Sequence, residues 1–469
     1  MTAVADTSIQ ALLGEMVQIV GEANVLTDPD LTGGYRRDMQ PLAEAGTPLA
    51  VVRPATTAEV AAIVKACAKA GIPLVPRGAG SGLTGASNAV DGAVTISFTR
   101  MNGKPRIDRE TRLAVVQPGV TTLELKQAAE EQGLFYAPDP TSNAWCTIGG
   151  NLANASGGPC ASKYGVTADR VRGLEVVLAS GEVLRTGSTT LKNVSGYDLN
   201  RLFVGSEGTL GLITEATLAL QAKPPAPRTA VAAFPTTEAA GRSVTEFLAT
   251  GHLLSLLEIM DGPCIRAVET YLGSPILGDD VPSPGAVLFA QSDTGQVLEL
   301  EAFEELCAGN GAVFTYATDY PSEGELLLQY WHSLEPALEA MGTWILHEVT
   351  VLPRHVSTLI DKAAGIAEDT GLFIGVHGHA ADGTLHPMIV FTPGHEDELC
   401  RARQAYGLVL QAAVELGGPV SGEHGIGRIK AAHLGEEIGE TGLAVHRAIK
   451  KALDPQRILN PGSMFQPAS

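Results

Sequence analysis

The sequence has little that would tie it to an oxidising compartment, a membrane or a nucleic acid. Its six cysteines (Cys67, Cys146, Cys160, Cys264, Cys307 and Cys400) are scattered, with no C-x-x-C spacing. That fits reduced thiols in a cytosolic protein and excludes a disulfide frame or an iron–sulfur site. No apolar run reaches the length of a bilayer span, so an integral membrane protein is not expected. The opening stretch MTAVADTSIQALLGEMVQIV carries acids and no basic n-region, so it does not read as a signal peptide. Cations are outnumbered, 32 Lys and Arg against 52 Asp and Glu, for a net charge of −20. Nucleic acid and anionic membrane surfaces are therefore poor partners, and a well-solvated surface accounts for the acidity. The expected location is cytoplasmic.

Glycine, by contrast, is abundant, with 53 residues in a chain of 469 that is 45% hydrophobic. This describes a globular, loop-rich α/β or α+β enzyme, long enough for two or three domains. The clearest linker is Lys223-Pro224-Pro225-Ala226-Pro227, since dense proline gives a semi-rigid spacer. The expected division is a helical segment 1–48, a ligand-binding domain 49–225, a second domain 226–420 with a smaller sheet, and a C-terminal segment 421–469. An amphipathic helix opens residues 7–30. Thr56, Thr57, Ala58 and Glu59 form a capping box ahead of VAAIVKACAKAG, between two short strands. A second helix, TTLELKQAAEEQG, starts at Thr121 or Thr122 and stops at Gly133.

The chain is organised around residues 73–85, PLVPRGAGSGLTG, a short strand running into four glycines. Glycine admits positive φ and lets backbone approach a ligand closely. Successive N–H groups in such a loop make an anion-binding concavity, to which Arg77, Ser81 and Thr84 can add donors. Gly80, Gly82 and Gly85 match G-x-G-x-x-G, but that fingerprint needs a helix directly after it. Here an Asp91-Gly92 turn and an alternating strand follow, so the Rossmann reading fails. A Walker loop fails too, because no Gly-Lys-Ser/Thr is present. The loop is a candidate diphosphate cradle. Residues 137–165, APDPTSNAWCTIGGNLANASGGPCASKYG, form a second irregular, small-residue region, and long irregular segments in compact domains are usually functional.

The stretch LFIGVHGHAADGTLHPMIVF (372–391) reads as a hairpin. If Asp382-Gly383 is its two-residue loop, His379 faces His386 with Cβ atoms about 4.5–5.5 Å apart. Two imidazoles so placed can share one divalent metal, and Glu423 in SGEHG (421–425) is the candidate third ligand. His377 lies on the same face.

These motifs together carry a resemblance. PRGAGSGLTG (76–85), PDPTS (138–142), IGGNLANASGG (148–158), GSEGTLGLIT (205–214), HAADGTLH (379–386), GEHGIG (422–427) and ILNPG (458–462) occur in the order found in flavoproteins of the vanillyl-alcohol-oxidase type. The chain resembles their branch holding the glycolate oxidase D subunit, D-lactate dehydrogenases and D-2-hydroxyglutarate dehydrogenase, over residues 49–465. The resemblance implies an α+β fold: a PCMH-type FAD-binding domain of two α+β subdomains, then an α+β substrate domain with an antiparallel sheet. It implies FAD, held around the diphosphate by Pro76, Arg77, Gly78, Ala79, Gly80, Ser81, Gly82 and Gly85. Pro140, Thr141, Ser142, Gly149, Gly150, Asn154, Ser156 and Gly157 would line the flavin. Glu207, Gly208, Gly211 and Ile213 would flank ribose and adenine, and Asn460 would return from the C-terminus.

Some relatives attach FAD through a histidine in the glycine loop; this chain has Ser81 and no histidine there, so non-covalent FAD is expected. By the same resemblance His379, His386 and Glu423 hold a divalent metal, Zn or Mn, and His424 is the base, with Glu423 beside it. The implied reaction is oxidation of a D-2-hydroxy acid to the 2-oxo acid, with hydride passing to flavin N5. The electron acceptor would be a partner protein or a quinone, and a homodimer is compatible. The scaffold also hosts polyol oxidation, alkyl transfer and flavin-binding subunits of larger complexes. Departures touch the substrate: Ala381 and Thr384 replace a Gly and an Asn, Leu334 replaces an Arg, and His347 replaces a Lys of some relatives. A monocarboxylate such as glycolate or D-lactate is therefore expected, with Arg428 or Lys430 as its cation.

Overall fold

In the computed structural model the described residues are 2–275, 277–278 and 283–465. The chain divides into two compact units. Residues 1–157, 165–223 and 423–469 make the first, and residues 158–164 and 224–422 make the second.

In the first unit, strands β1 (Val25–Leu26), β2 (Ala50–Val52), β3 (Leu74–Arg77) and β4 (Val94–Ser97) form a sheet ordered β1-β2-β4-β3, with β2 and β3 both parallel to β4. Strands that run the same way in one sheet require a crossover, and the helix Thr57–Ala70 supplies it between β2 and β3. Thr56 accepts the Glu59 N–H at 3.2 Å, Glu59 accepts the Ala55 N–H at 2.6 Å, and Gly71 ends the helix at φ 66°. Its buried face (Val60, Ile63, Val64, Cys67) packs with Leu74, Val94 and Ile96, and with Leu12 and Met16 of the opening helix Thr2–Val20. Each such side chain contributes about 1.5–3 kcal/mol by leaving water.

Seven more strands complete this unit: β5 (Arg106–Asp108), β6 (Leu113–Val116), β7 (Leu134–Phe135), β8 (Val171–Val177), β9 (Val183–Gly187), β10 (Leu212–Ala219) and β11 (Gln221–Ala222). An antiparallel sheet runs β5-β6-β10-β8-β9, and β7 pairs with β11. The region expected to be irregular contains a helix, Ile148–Asn154. Thr147 caps it by accepting the Gly150 N–H at 3.4 Å. Gly149 lets it sit against Pro118, whose Cβ would be 2.5 Å from any Cβ at that position. Gly149, which read as loop, is there for close packing.

The second unit holds β12 (Arg228–Phe234), β13 (Leu256–Asp261), β14 (Ala286–Ser292), β15 (Phe314–Thr318), β16 (Thr343–Leu346), β17 (Val349–Thr350), β18 (Phe373–His379) and β19 (Thr384–Phe391). They form one antiparallel sheet ordered β15-β12-β14-β13-β18-β19-β16, with β17 also on β19. Among the described residues the sheet has eight strands and is larger than any sheet of the first unit, against the expectation of a smaller one.

The β18–β19 hairpin exists, but its register is shifted by two residues from the expected one. His377 faces His386, and His379 faces Thr384. The loop is residues 380–383, closed by the Gly383 N–H onto the His379 carbonyl at 2.9 Å. A two-residue type I′ loop needs positive φ at both central residues; Gly383 has φ 83°, whereas Asp382 is not among the positive-φ residues. A shift of two keeps every side chain on its own face, so His377, His379 and His386 still share one side.

Candidate active site

In the first unit the glycine loop leaves β3 and turns at Gly80 (φ 82°) and Gly85 (φ 78°). The backbone N–H groups of residues 79–83 donate to no protein acceptor among the described residues. The loop therefore presents consecutive unused donors, as a diphosphate needs. It packs on the helix Ile148–Asn154, since a Cβ at Gly78 would meet Thr147 Oγ1 at 2.3 Å. Pro76 lies in β3, and a Cβ at Gly208 would strike its Cγ at 2.4 Å. Two of the expected cofactor segments are thus side by side, and the amide-rich loop fits the diphosphate of FAD.

Arg77 does not extend a donor from its side chain, contrary to expectation. Its guanidinium is buried beneath the loop, with Nη2 on the Arg37 carbonyl at 2.8 Å and the Gly34 carbonyl at 3.4 Å. Burial lowers its pKa. A Cβ on Gly80 would be 2.2 Å from that Nη2. Asp38 lies on the same side, its Oδ2 about where a Gly82 Cβ would come within 3.3 Å.

Glu207, expected at the ribose, is committed to the protein. Its buried carboxylate accepts the N–H groups of Ile426 (2.6 Å) and Gly427 (3.0 and 3.1 Å) and the Ser463 hydroxyl (2.5 Å). Burial pushes its pKa up. Its role is to clamp the GEHGIG turn. Gly211 has a packing role as well, because a Cβ there would meet Val176 Cγ1 at 2.5 Å. Ile213 lies half-buried on β10.

Asn460 does return to this place. Its Nδ2 donates to the carbonyls of Ala86 (2.9 Å) and Glu207 (2.7 Å), leaving buried Oδ1 without a protein partner among the described residues. That orphaned acceptor, beside the glycine loop, fits a ligand donor. Residues 140–142 open a turn in which Pro140 and Ser142 carbonyls accept the Asn143 and Cys146 N–H groups, both at 2.8 Å. Asn154, Ser156 and Gly150 are half-buried around the same helix. At its far end a Cβ on Gly157 would be 2.7 Å from Glu423 Oε2. Glu423 Oε1 is 3.4 Å from His424 Nε2. Within this unit, then, the acid and the imidazole of GEHGIG stand against the small-residue loop.

In the second unit His379 and His386 are buried, with ring planes at 83° and their Nε2 atoms 3.4 Å apart. That separation is at the outer limit of a hydrogen bond. Two nitrogens at roughly 2.0–2.1 Å from one tetrahedral ion would be about 3.3 Å apart. The donor set therefore fits a divalent cation. His377 lies between Trp331 and His386, with ring centroids at 6.4 and 5.2 Å. Glu348, nearly fully buried, accepts the Gly422 N–H (2.7 Å), the Ser421 hydroxyl (2.8 Å) and the Thr350 hydroxyl (3.1 Å). It fixes the chain at Ser421 and Gly422.

The residues expected to shape the substrate pocket divide. Leu334 is a core residue, and Thr384 shares a 3.1 Å hydrogen bond with Thr350. His347 is buried and stacks on Tyr406 at 3.6 Å. Arg428 is corrected: its guanidinium serves the carbonyls of Asn88 (2.6 Å) and Ala89 (3.2 Å), and burial lowers its pKa. Lys430 is buried in the same unit. Sequence reasoning missed Glu258, Glu348 and Asp293, which binds both Lys163 and Tyr164. An acid in the middle of an apolar strand, as Glu258 is in LLSLLEIMD, was the available signal.

Comparison with known proteins agrees with this architecture. An FAD binding domain model matches residues 48–187, and the model for FAD linked oxidases, C-terminal domain, matches residues 223–464. The glycolate oxidase subunit GlcD of Bacillus subtilis is 37% identical over 457 residues, 96% of each chain. The D-lactate dehydrogenase of Anaerostipes hadrus is 32% identical, again over 96% of each. The structure of p-cresol methylhydroxylase with substrate bound superposes with TM-score 0.82 at 20% identity, over 98% of this chain and 97% of that one. The fold is that of a PCMH-type flavoprotein, an α+β FAD-binding domain followed by a C-terminal domain with an antiparallel sheet. The chain belongs to the FAD-linked oxidases and is an FAD-dependent oxidoreductase. No helix among the described residues is long and apolar enough to cross a membrane.

Proposed function

We propose that this chain oxidises a D-2-hydroxy monocarboxylic acid, of the glycolate or D-lactate kind, to its 2-oxo acid, with a divalent cation (Zn²⁺ or Mn²⁺) at His379, His386 and Glu423. The observation that carries this reading is the 3.4 Å approach of two buried imidazole nitrogens on one sheet face. The relatives named for glycolate and D-lactate supply the substrate class. When bound, FAD provides the hydride acceptor, and the cation lowers the pKa of the substrate hydroxyl.

The chain's own residues do the rest. His424 takes the hydroxyl proton, as an imidazole can near neutral pH, and Glu423 at 3.4 Å holds the ring. The free amides of residues 79–83 hold the diphosphate, and Asn460 Oδ1 offers an acceptor beside it. Electrons leave to an acceptor, a partner protein or a quinone. The preference for a single carboxylate rests on the resemblance, in which Thr384 stands where an amide would hold more of the substrate, and an unpaired second carboxylate in a closed site is costly.

Chelation followed by metal return tests the reading. Turnover should vanish while the flavin spectrum stays, and Zn²⁺ or Mn²⁺ should restore it. His386→Ala should lose metal and activity together. Full activity in metal-free protein would return the histidines to a packing role.

A further inference from the structure

Behind the two histidines lies a carboxylate that the reaction as described does not use. On β13, Glu258 is directly opposite His379 of β18 in the strand pairing. It has no exposed surface, and every other residue of Leu256–Asp261 is buried too. Its Oε1 is 2.8 Å from His379 Nδ1, while Oε2 is buried with no hydrogen-bond partner among the described residues. No Lys or Arg forms an ion pair with it among the described residues. A carboxylate so enclosed is expensive unless positive charge is close.

Glu258 Oε1 and His379 Nδ1 share one hydrogen bond. Where the carboxylate is the acceptor, the shared proton sits on the imidazole Nδ1. A neutral His379 with its proton on Nδ1 carries its lone pair on Nε2. That is the nitrogen directed at His386 Nε2, 3.4 Å away. We propose that Glu258 is the positioning residue of the cation site: it fixes the tautomer and ring plane of His379 and supplies buried negative charge toward the ion. This rests on reading the histidine pair as a cation site. The competing arrangement is a plain ion pair between Glu258 and a doubly protonated His379, which would place a proton where the ion should bind.

The test is a Co²⁺ titration of metal-stripped, flavin-loaded protein, followed through the cobalt d–d absorption, with wild type, Glu258→Ala, Glu258→Leu and Glu258→Gln. Removing such an outer partner typically costs 10–100-fold in metal affinity. Glu258→Ala and Glu258→Leu should show that loss and a changed cobalt band, with the flavin spectrum unaltered. Glu258→Gln keeps an oxygen that can accept the Nδ1 proton, so it should fall between them and wild type. Leucine suits an apolar buried strand and decides the matter if the alanine variant does not fold. Wild-type affinity and an unchanged band in Glu258→Leu would overturn the proposal and leave the cation site standing, as would Glu258→Gln binding as weakly as Glu258→Leu. Absence of cobalt binding in wild type would overturn both.

Discussion

The backbone N–H of Ile426 donates to Glu207 Oε1 at 2.6 Å, across 219 residues of sequence. With the Gly427 N–H and the Ser463 hydroxyl on the same carboxylate, this one side chain gathers the segments carrying His424 and Asn460. Glu207→Ala leaves three buried donors without an acceptor, each worth about 1–3 kcal/mol. The variant should melt several degrees lower and release flavin earlier on heating, whereas Glu207→Gln should recover part of the loss. Unchanged melting and flavin retention in Glu207→Ala would contradict the clamp.

Gly80 has two reasons to be glycine, its φ of 82° and the Arg77 guanidinium 2.2 Å from where a Cβ would be. Gly80→Val should therefore empty the flavin site, and the purified protein should lack the 450 nm region of its spectrum. Gly82→Ala should do less harm, since a Cβ there meets only Asp38 Oδ2 at 3.3 Å, outside the left-handed region. A fully yellow Gly80→Val protein would remove this loop from cofactor binding.

How much of this could be read from the sequence follows from the range of the interactions. Local signals succeeded: the Thr56–Glu59 box, the Gly71 stop and the capping of Thr122–Glu130 by Thr121 each depend on a few neighbouring residues. The histidines of 379–386 were found because their face is fixed by the period of a strand, which a shift of two does not alter. Their exact partners were missed, because the Asp-Gly signal does not reveal whether one or two positive-φ residues will be used. Arg77 and Arg428 look like ligand cations in a motif, yet both are consumed by loop carbonyls that only the folded chain brings near. The partner of Glu258 was hidden for the same reason, lying 121 residues away, although an acid within an apolar strand was itself a signal.

Burial pushes Asp38 up from 3.8 to about 6, even with Arg77 and Arg428 nearby. A raised carboxyl stabilises the fold below its unfolded pKa, and that contribution is lost as pH rises through about 6. Asp38→Asn should therefore match wild type near pH 4 and exceed it at pH 7.5, by on the order of 1–2 kcal/mol. Thermal melts across that range check this, and a pH-independent difference would contradict it.

No histidine or cysteine occurs in residues 76–85. Acid precipitation should accordingly release all flavin into the supernatant. Yellow colour remaining in the pellet would reveal a covalent attachment elsewhere.

The central claim is a flavin- and metal-dependent oxidation of a 2-hydroxy monocarboxylate. Anaerobic mixing of the metal-loaded flavoprotein with glycolate, D-lactate, D-malate and D-2-hydroxyglutarate, followed by flavin absorbance, tests it most directly. The account predicts rapid bleaching by glycolate or D-lactate, slow or absent bleaching by the two dicarboxylates, and none after chelation. Faster bleaching by a dicarboxylate, or bleaching that survives complete metal removal, would contradict it.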